Sequence, residues 1–191
     1  MSKVSIIGNG NMGGAIGAIV TAGGNDVEFI GRDTATPITG DIVVLAVPHP
    51  SVADIIAARG AELAGRIVVD ITNPVDFATF DSLVVPAGSS FAAQLAEQLP
   101  EATVLKAFNT NFAGTLASKQ VGDVTTTVLI AGDDPDAKQT LADLVRAGGV
   151  QAVDAGSLAR AHELEAIGFL QLGLAVQEKV RWDAGFALVA A

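Results

Sequence analysis

Cysteine and tyrosine are both missing from these 191 residues, and there is only one tryptophan, two histidines and two methionines. Without cysteine, disulfides, thiol catalysis and thiolate metal sites are excluded. His49 and His162 are too few to build a histidine metal site, so no metal is expected. Positive charge is also scarce, with 11 Lys and Arg against 21 Asp and Glu and a formal charge of -10. Neither nucleic acid nor an anionic membrane offers such a chain a counter-charge, so neither is expected as a partner. A small anionic ligand would need a local cationic pocket. No apolar stretch approaches the ~18 residues of a membrane span, and no charged segment precedes an apolar one as in an export signal. A cytoplasmic location is the resulting expectation. There is no Ser/His/Asp order, no carboxylate pair suggesting acid–base work, and no lysine or tyrosine placed as a proton donor.

What the chain does have is glycine at its start. The β-branched run Val4-Ser5-Ile6-Ile7 feeds Gly8-Asn9-Gly10-Asn11-Met12-Gly13, and a segment rich in Ala and Ile follows at once. Between a strand and a helix, Gly-x-Gly-x-x-Gly has a mechanical reading. Gly8 permits the tight turn, Gly10 lets the backbone approach a pyrophosphate, and Gly13 lets helix and strand pack closely. The free amides and positive end of the helix then face the anion. The alternative is a plain strand-to-helix turn.

A helix over 11–22, stopped by Gly23-Gly24, and a strand over 27–30 complete a β-α-β unit of the expected ~30 residues. Residues 31–40 contain Pro37 and two glycines without helical periodicity, so the helix that normally follows the second strand is expected to be missing. At ~3.3 Å per residue the loop can still return to a parallel position. Apolar strands are expected over 41–47, 67–71, 103–108 and 125–131, with a short one over 151–154, and helices from 52 to about 64, from a Ser89-Ser90 cap to 99, and from an N-terminus at 132–135 to Gly148. From Ser157 to about Val180 the chain reads as one helix, apolar nearly all round over Ile167–Val176. Such a helix needs cover on more than one side, from its own domain and from a second subunit, which predicts a homodimer. The fold class is α/β, a Rossmann-like doubly wound parallel sheet with a long C-terminal helix. Residues 1–156 are expected to form the dinucleotide-binding domain, and 157–191 a helix and tail that serve dimerisation and the edge of the binding cleft.

Ligands of such sheets bind beyond the carboxyl ends of the strands. After the second strand an NAD site would place an acid for the ribose hydroxyl. Here Gly31-Arg32-Asp33-Thr34 stands instead. The Arg32 fork suits a 2′-phosphate, which favours NADP, unless Arg32 is a solvated loop residue paired with Asp33. After the third strand, Ala46, Val47 and Pro48 can lie against ribose and pyrophosphate. His49 is either a local hydrogen-bonding residue or a catalytic acid. Asn73, before Pro74, either bonds the nicotinamide end or is a turn residue. Asn109, Thr110 and Asn111 face the same crevice as uncharged hydrogen-bonders suited to a flat heteroaromatic ring. Hydride transfer between two rings needs alignment more than a proton donor, so no catalytic side chain is required.

Ile7–Gly14, Leu45–Pro48, Val69–Pro74, Val104–Asn109 and Asp154–Leu158 together resemble the deazaflavin-dependent NADP oxidoreductases, the NADPH:coenzyme F420 reductases and their relatives. The resemblance extends to Trp182–Phe186. It implies NADP held by the glycine turn and the loop carrying Arg32. A hydride cleft framed by Val47, Pro48, Asn73 and Asn109 comes with it, as do a dimer through the C-terminal helix and a sheet order beginning 2-1-3-4. Coenzyme F420 or a flavin is the implied redox partner. Two alternatives remain: an NADPH-dependent reductase of a small imine, quinone or metal chelate, and a non-catalytic NADP(H)-binding sensor. Pyrroline-5-carboxylate reductases share the opening motif, but they carry a further helical domain, whereas only about one long helix is expected here after the α/β domain.

Overall fold

The computed structural model describes residues 1–31 and 36–189. Strand β1 (Lys3–Ile7) leads into helix α1 (Asn11–Ala22) and strand β2 (Asp26–Ile30), which pairs in parallel with β1. Strand β3 (Ile42–Leu45) lies parallel on the other side of β1, with Val4 opposite Ile42. Among the described residues no helix stands between β2 and β3.

The remaining connection is pinned rather than open. Ile38 is buried and its N–H donates to Glu62 Oε2 at 3.1 Å. The Arg59 Nη2 donates to the Thr36 carbonyl at 2.6 Å, and Arg66 donates to the Ile38 and Gly40 carbonyls. On the sheet side, the Thr39 hydroxyl and amide bond the Glu28 carboxylate, which also accepts from Ser5. Partial burial alone would raise the Glu28 carboxyl, but the Ser5 and Thr39 donors and Lys3 bring it down to about 2.

After a 3₁₀ turn over His49–Ser51, helix α2 (Val52–Arg59) is followed by strand β4 (Ile67–Asp70), helix α3 (Phe91–Gln98) and strand β5 (Thr103–Ala107). Ser90 caps α3 by accepting from the Ala93 N–H at 3.1 Å. Helix α4 (Ala113–Ser118) and the hairpin of β6 (Gln120–Val121) and β7 (Val124–Thr125) come next. Strand β8 (Thr127–Ala131), helix α5 (Pro135–Ala147), strand β9 (Gln151–Gly156) and helix α6 (Ala161–Val176) complete the order. Asp134 caps α5 through the Ala137 N–H, and Pro135 opens its first turn, where its missing N–H costs nothing.

The seven-stranded sheet runs β2-β1-β3-β4-β5-β8-β9. It is mostly parallel, with one departure from the expected pattern: β8 is antiparallel to β5, through Lys106–Ala131 and Ala107–Ile130. The short doubling back through α4 and the hairpin returns the chain to the carboxyl end of β5, so β8 enters from that side. The strand expected over 125–131 is also divided at Thr126, whose N–H donates to the Lys119 carbonyl and whose hydroxyl donates to the Thr115 carbonyl. Finally, the C-terminal helix ends at Val176 rather than Val180, because Glu178 adopts a left-handed φ of 58°.

Helices cover both faces, which is why the inner strands are largely apolar. Val44, Val69 and Leu105 face one side and pack with Ile16, Ile19 and Leu141. Their neighbours Val43, Val68 and Val104 face the other, with Val52, Leu63 and Leu95. The two larger cavities lie at the carboxyl ends of β1–β5.

Candidate active site

Helix α1 has Gly10 at its N-cap, with no side-chain capping bond and no acidic residue in its first turn. Its N-terminal amides are therefore available to an anion. The turn before it is as tight as the glycine spacing implies. Gly8 has φ 109°, and a Cβ there would stand 2.3 Å from the Ala46 carbonyl oxygen. A Cβ on Gly13 would stand 2.3 Å from the Gly8 oxygen, whereas one on Gly10 would meet nothing within 4 Å. The structure thus needs Gly8 and Gly13 for its own packing, and leaves open space at Gly10, where the backbone would approach a phosphate.

A cavity of about 610 Å³ opens on one side of the turn. It is lined by Gly8, Asn9, Gly10, Gly31, Ala46, Val47 and Pro48, with α2 as its far wall through Ser51, Asp54, Ile55, Ala58 and Arg59. A second cavity of about 680 Å³ lies on the other side, lined by Asn11, Met12, Ile71, Asn73, Asn109 and Asn111, and by Phe112, Leu172, Trp182 and Asp183. A dinucleotide laid across the turn would put its adenosine in the first and its nicotinamide toward the second, which has room for a further ring.

The amide side is held from beneath. Phe108, buried at the end of β5, has φ 62°, a left-handed conformation unfavourable for a bulky residue and sustained here by its packing. It turns the chain so that Asn109 meets Asn73. Asn73 Nδ2 donates to the Asn109 carbonyl and Asn109 Nδ2 donates back to Asn73 Oδ1, both at 2.9 Å. Asn109 Nδ2 also donates to the Leu164 carbonyl, and Asn111 Nδ2 to the Thr127 carbonyl. These donations fix the amide orientations and leave Asn109 Oδ1 and Asn111 Oδ1 buried without a donor. Both oxygens are shut off from the cavity, which these residues line through their other atoms. Helix α6 can approach the pair because Gly168 lacks a side chain: a Cβ there would be 2.2 Å from Asn73 Oδ1.

Below the pair is a group the sequence reading did not find. Lys106 Nζ donates to Asp70 Oδ2 at 2.7 Å, Glu165 Oε1 at 2.9 Å and the Thr72 carbonyl at 2.6 Å. All three charged side chains are fully buried. The Glu165 carboxylate also accepts the Phe91 and Ala92 amides at the positive end of α3. This network ties β4, β5, α3 and α6 together directly under Asn73 and Asn109. Its available signal was a lysine and an aspartate inside otherwise apolar strands.

Of the residues named from the sequence, Gly8, Asn9, Gly10, Gly31, Ala46, Val47 and Pro48 line the first cavity, and Asn11, Met12, Asn73 and Asn109 the second. Gly13 packs beneath the turn. Arg32, Asp33 and Thr34 lie outside the described residues. His49 lines neither cavity; its ring meets Phe91 edge-on at 4.3 Å, and burial pushes its imidazole below the ordinary value. Arg59, Phe112 and Trp182 were not anticipated. Arg59 sits in a segment that reads as ordinary amphipathic helix, and the two aromatics come from separate parts of the chain.

A strand, an uncapped glycine turn and a helix, flanked by cavities along the carboxyl ends of a mostly parallel sheet, define a dinucleotide-binding α/β protein. No family model matches the chain. The F420-dependent NADP reductase of Methanocaldococcus jannaschii is 32% identical over 163 residues, which cover 82% of this chain and 72% of that protein. The chain belongs to the F420-dependent NADP reductase family. The metalloreductase STEAP3 of Rattus norvegicus is 42% identical over 108 residues, 56% of this chain but 20% of that protein. A crystal structure from an Arthrobacter species, provisionally assigned as an F420-dependent NADP reductase, superposes with a TM-score of 0.85 over 100% of both chains. At 24% identity that similarity shows the fold alone.

Proposed function

We propose that this protein transfers hydride between NADP(H) and a deazaflavin or flavin-like acceptor. The observation that carries the reading is the pair of cavities flanking one glycine turn, with Asn73, Asn109 and Asn111 in the wall of the second. The α1 amides and the turn would hold the pyrophosphate, and Ala46, Val47 and Pro48 the adjoining ribose. Asn73 and Asn109 would orient the nicotinamide, whose hydride is the chemistry the cofactor supplies. The chain's own contribution is alignment and exclusion of water. His49 has no part in this scheme. The family supports NADP as the nucleotide, and Arg32 follows Gly31, which lines the adenosine cavity; it is the residue we assign to the 2′-phosphate. Replacing Arg32 by Ala should weaken NADPH by about tenfold or more and leave NADH little changed. Equal losses for both would remove the assignment.

The test of the activity is NADPH mixed with a deazaflavin, followed at the nicotinamide absorbance. Stoichiometric loss of NADPH with reduction of the ring is expected. Tight NADPH binding without turnover of any deazaflavin or flavin would overturn it in favour of a binding module.

We also infer a homodimer through α6. Ile167, Leu170 and Val176 on this helix remain 37%, 55% and 46% exposed. A second copy would cover them. Light scattering at micromolar concentration should give the dimer mass; a clean monomer would refute it. Among the described residues no helix is long and apolar enough to cross a membrane, and a cytoplasmic site of action is part of the same proposal.

A further inference from the structure

The far wall of the second cavity does not come from the sheet. After α6 the chain turns at Glu178 and folds back, bringing Trp182 and Asp183 to the cavity. The indole packs on Phe112 with ring centroids 4.9 Å apart and planes inclined at 52°. Two features fix this segment. The buried Gln171 donates to the Thr110 carbonyl at 3.1 Å and accepts the Phe186 N–H at 2.9 Å, coupling the tail to the loop that carries Asn109 and Asn111. Gly114 in α4 receives the tail closely: a Cβ there would be 2.7 Å from the Trp182 carbonyl oxygen. Asp183 is engaged by Arg181 at 2.8 Å.

So anchored, Trp182 nonetheless keeps 54% of its surface exposed. A tryptophan whose role was to hold the tail down would bury its ring, and Gln171 and Phe186 already supply that anchor. Large exposed aromatics on a fixed backbone, beside a cavity walled by asparagines, are the elements of a stacking platform.

We propose that Trp182, carried on the folded-back tail and backed by Phe112, is the specificity-determining residue of the acceptor side, selecting planar aromatic rings by stacking. This rests on the reading of the second cavity as the place of the hydride acceptor. Trp182 makes the site selective for flat heteroaromatics over small aliphatic imines or other compact acceptors, which offer it no face to stack on. It takes no part in the hydride step, which passes between the two rings.

Trp182 is the sole tryptophan of the chain, so its emission reports directly on its own surroundings. The experiment titrates the NADP⁺-saturated protein with an 8-hydroxy-5-deazaflavin while following that emission, and measures hydride transfer by the native protein, Trp182→Phe and Trp182→Ala. Saturable quenching is expected in the native protein. Trp182→Ala should raise the deazaflavin KM about tenfold, with Trp182→Phe recovering most of the loss and the NADPH Kd within about twofold throughout. An unchanged KM in Trp182→Ala would overturn the proposal. So would an equal loss of NADPH affinity, which indicates collapse of the tail instead. If the native protein turns over no deazaflavin, the proposed activity fails by itself. Saturable quenching would then still uphold Trp182 as a ring platform, and its absence would refute it.

Discussion

Replacing Gly10 by alanine separates the two reasons a glycine can occupy this turn. At Gly13 the demand is internal, since the new methyl would lie 2.3 Å from the Gly8 carbonyl oxygen and 3.2 Å from its carbon. Backbone on both sides cannot give way cheaply, so Gly13→Ala should cost about 1–3 kcal/mol or more of stability. For a chain of this length that lowers Tm by roughly 2–4 °C per kcal/mol. Gly10 differs: its φ of -71° and ψ of -172° suit any residue, and a Cβ meets nothing within 4 Å. Alanine there restricts the unfolded chain, a gain of about 0.4–1 kcal/mol, but it is a poorer N-cap by a few tenths or more. The two nearly cancel, so the Tm of the cofactor-free protein should stay within about 2 °C of native. If the turn faces a pyrophosphate, the same methyl blocks a charge-assisted backbone contact worth about 1.5–3 kcal/mol, or roughly 10- to 150-fold in Kd. The assay is thermal melting without nucleotide, together with NADPH titration by nicotinamide fluorescence. A Gly10→Ala protein that binds NADPH within twofold of native would refute the placement of the phosphates.

Three other perturbations test what supports the site. Gly168→Ala places a methyl 2.2 Å from Asn73 Oδ1 and should push Asn73 off Asn109, lowering the rate of hydride transfer about 10- to 100-fold in single turnover; an unchanged rate would show that the amide pair does not align the nicotinamide. Lys106→Met leaves Asp70 and Glu165 buried without their cation and should cost about 3–5 kcal/mol in urea unfolding; a loss under 1 kcal/mol would mean the network relaxes into solvent. The carboxyls of Glu28 and Glu62 are both lowered from 4.5 to about 2, Glu28 by the donors that outweigh its partial burial and Glu62 by the Arg59 guanidinium and the Ile38 amide. A depressed carboxylate stabilises the fold above its unfolded value and loses that contribution as pH falls through the folded one, so stability should decline between about pH 4.5 and 2. Glu28→Gln should flatten part of this slope in urea unfolding followed against pH; an identical slope would remove Glu28 as its source.

What could be read from the residues alone was whatever short stretches encode. Val4–Ile7 followed by Gly8-Asn9-Gly10 is a local instruction, and strand, turn and uncapped helix all form as the spacing requires. The continuous apolar runs of β3 and β4 likewise announced strands buried on both faces. The reading went astray where direction depends on what lies between elements: the antiparallel entry of β8 is set by α4 and the hairpin, which have weak local patterns. The C-terminal helix was read too long because Glu178 is an ordinary helix former, and only its place beside the fold-back gives it a left-handed φ. In the site the same division holds. The turn we assign to the phosphates uses consecutive residues and is legible, whereas Lys106 meets Glu165 across 59 positions, and Phe112 and Trp182 become neighbours only through the tail. The amide wall joins residues 36 apart, Asn73 and Asn109. Local sequence therefore specifies the half of the site that every dinucleotide-binding relative must share. The half we assign to the redox partner is built from long-range contacts, so on that reading variation in the tail would change the acceptor while the glycine turn stays as it is.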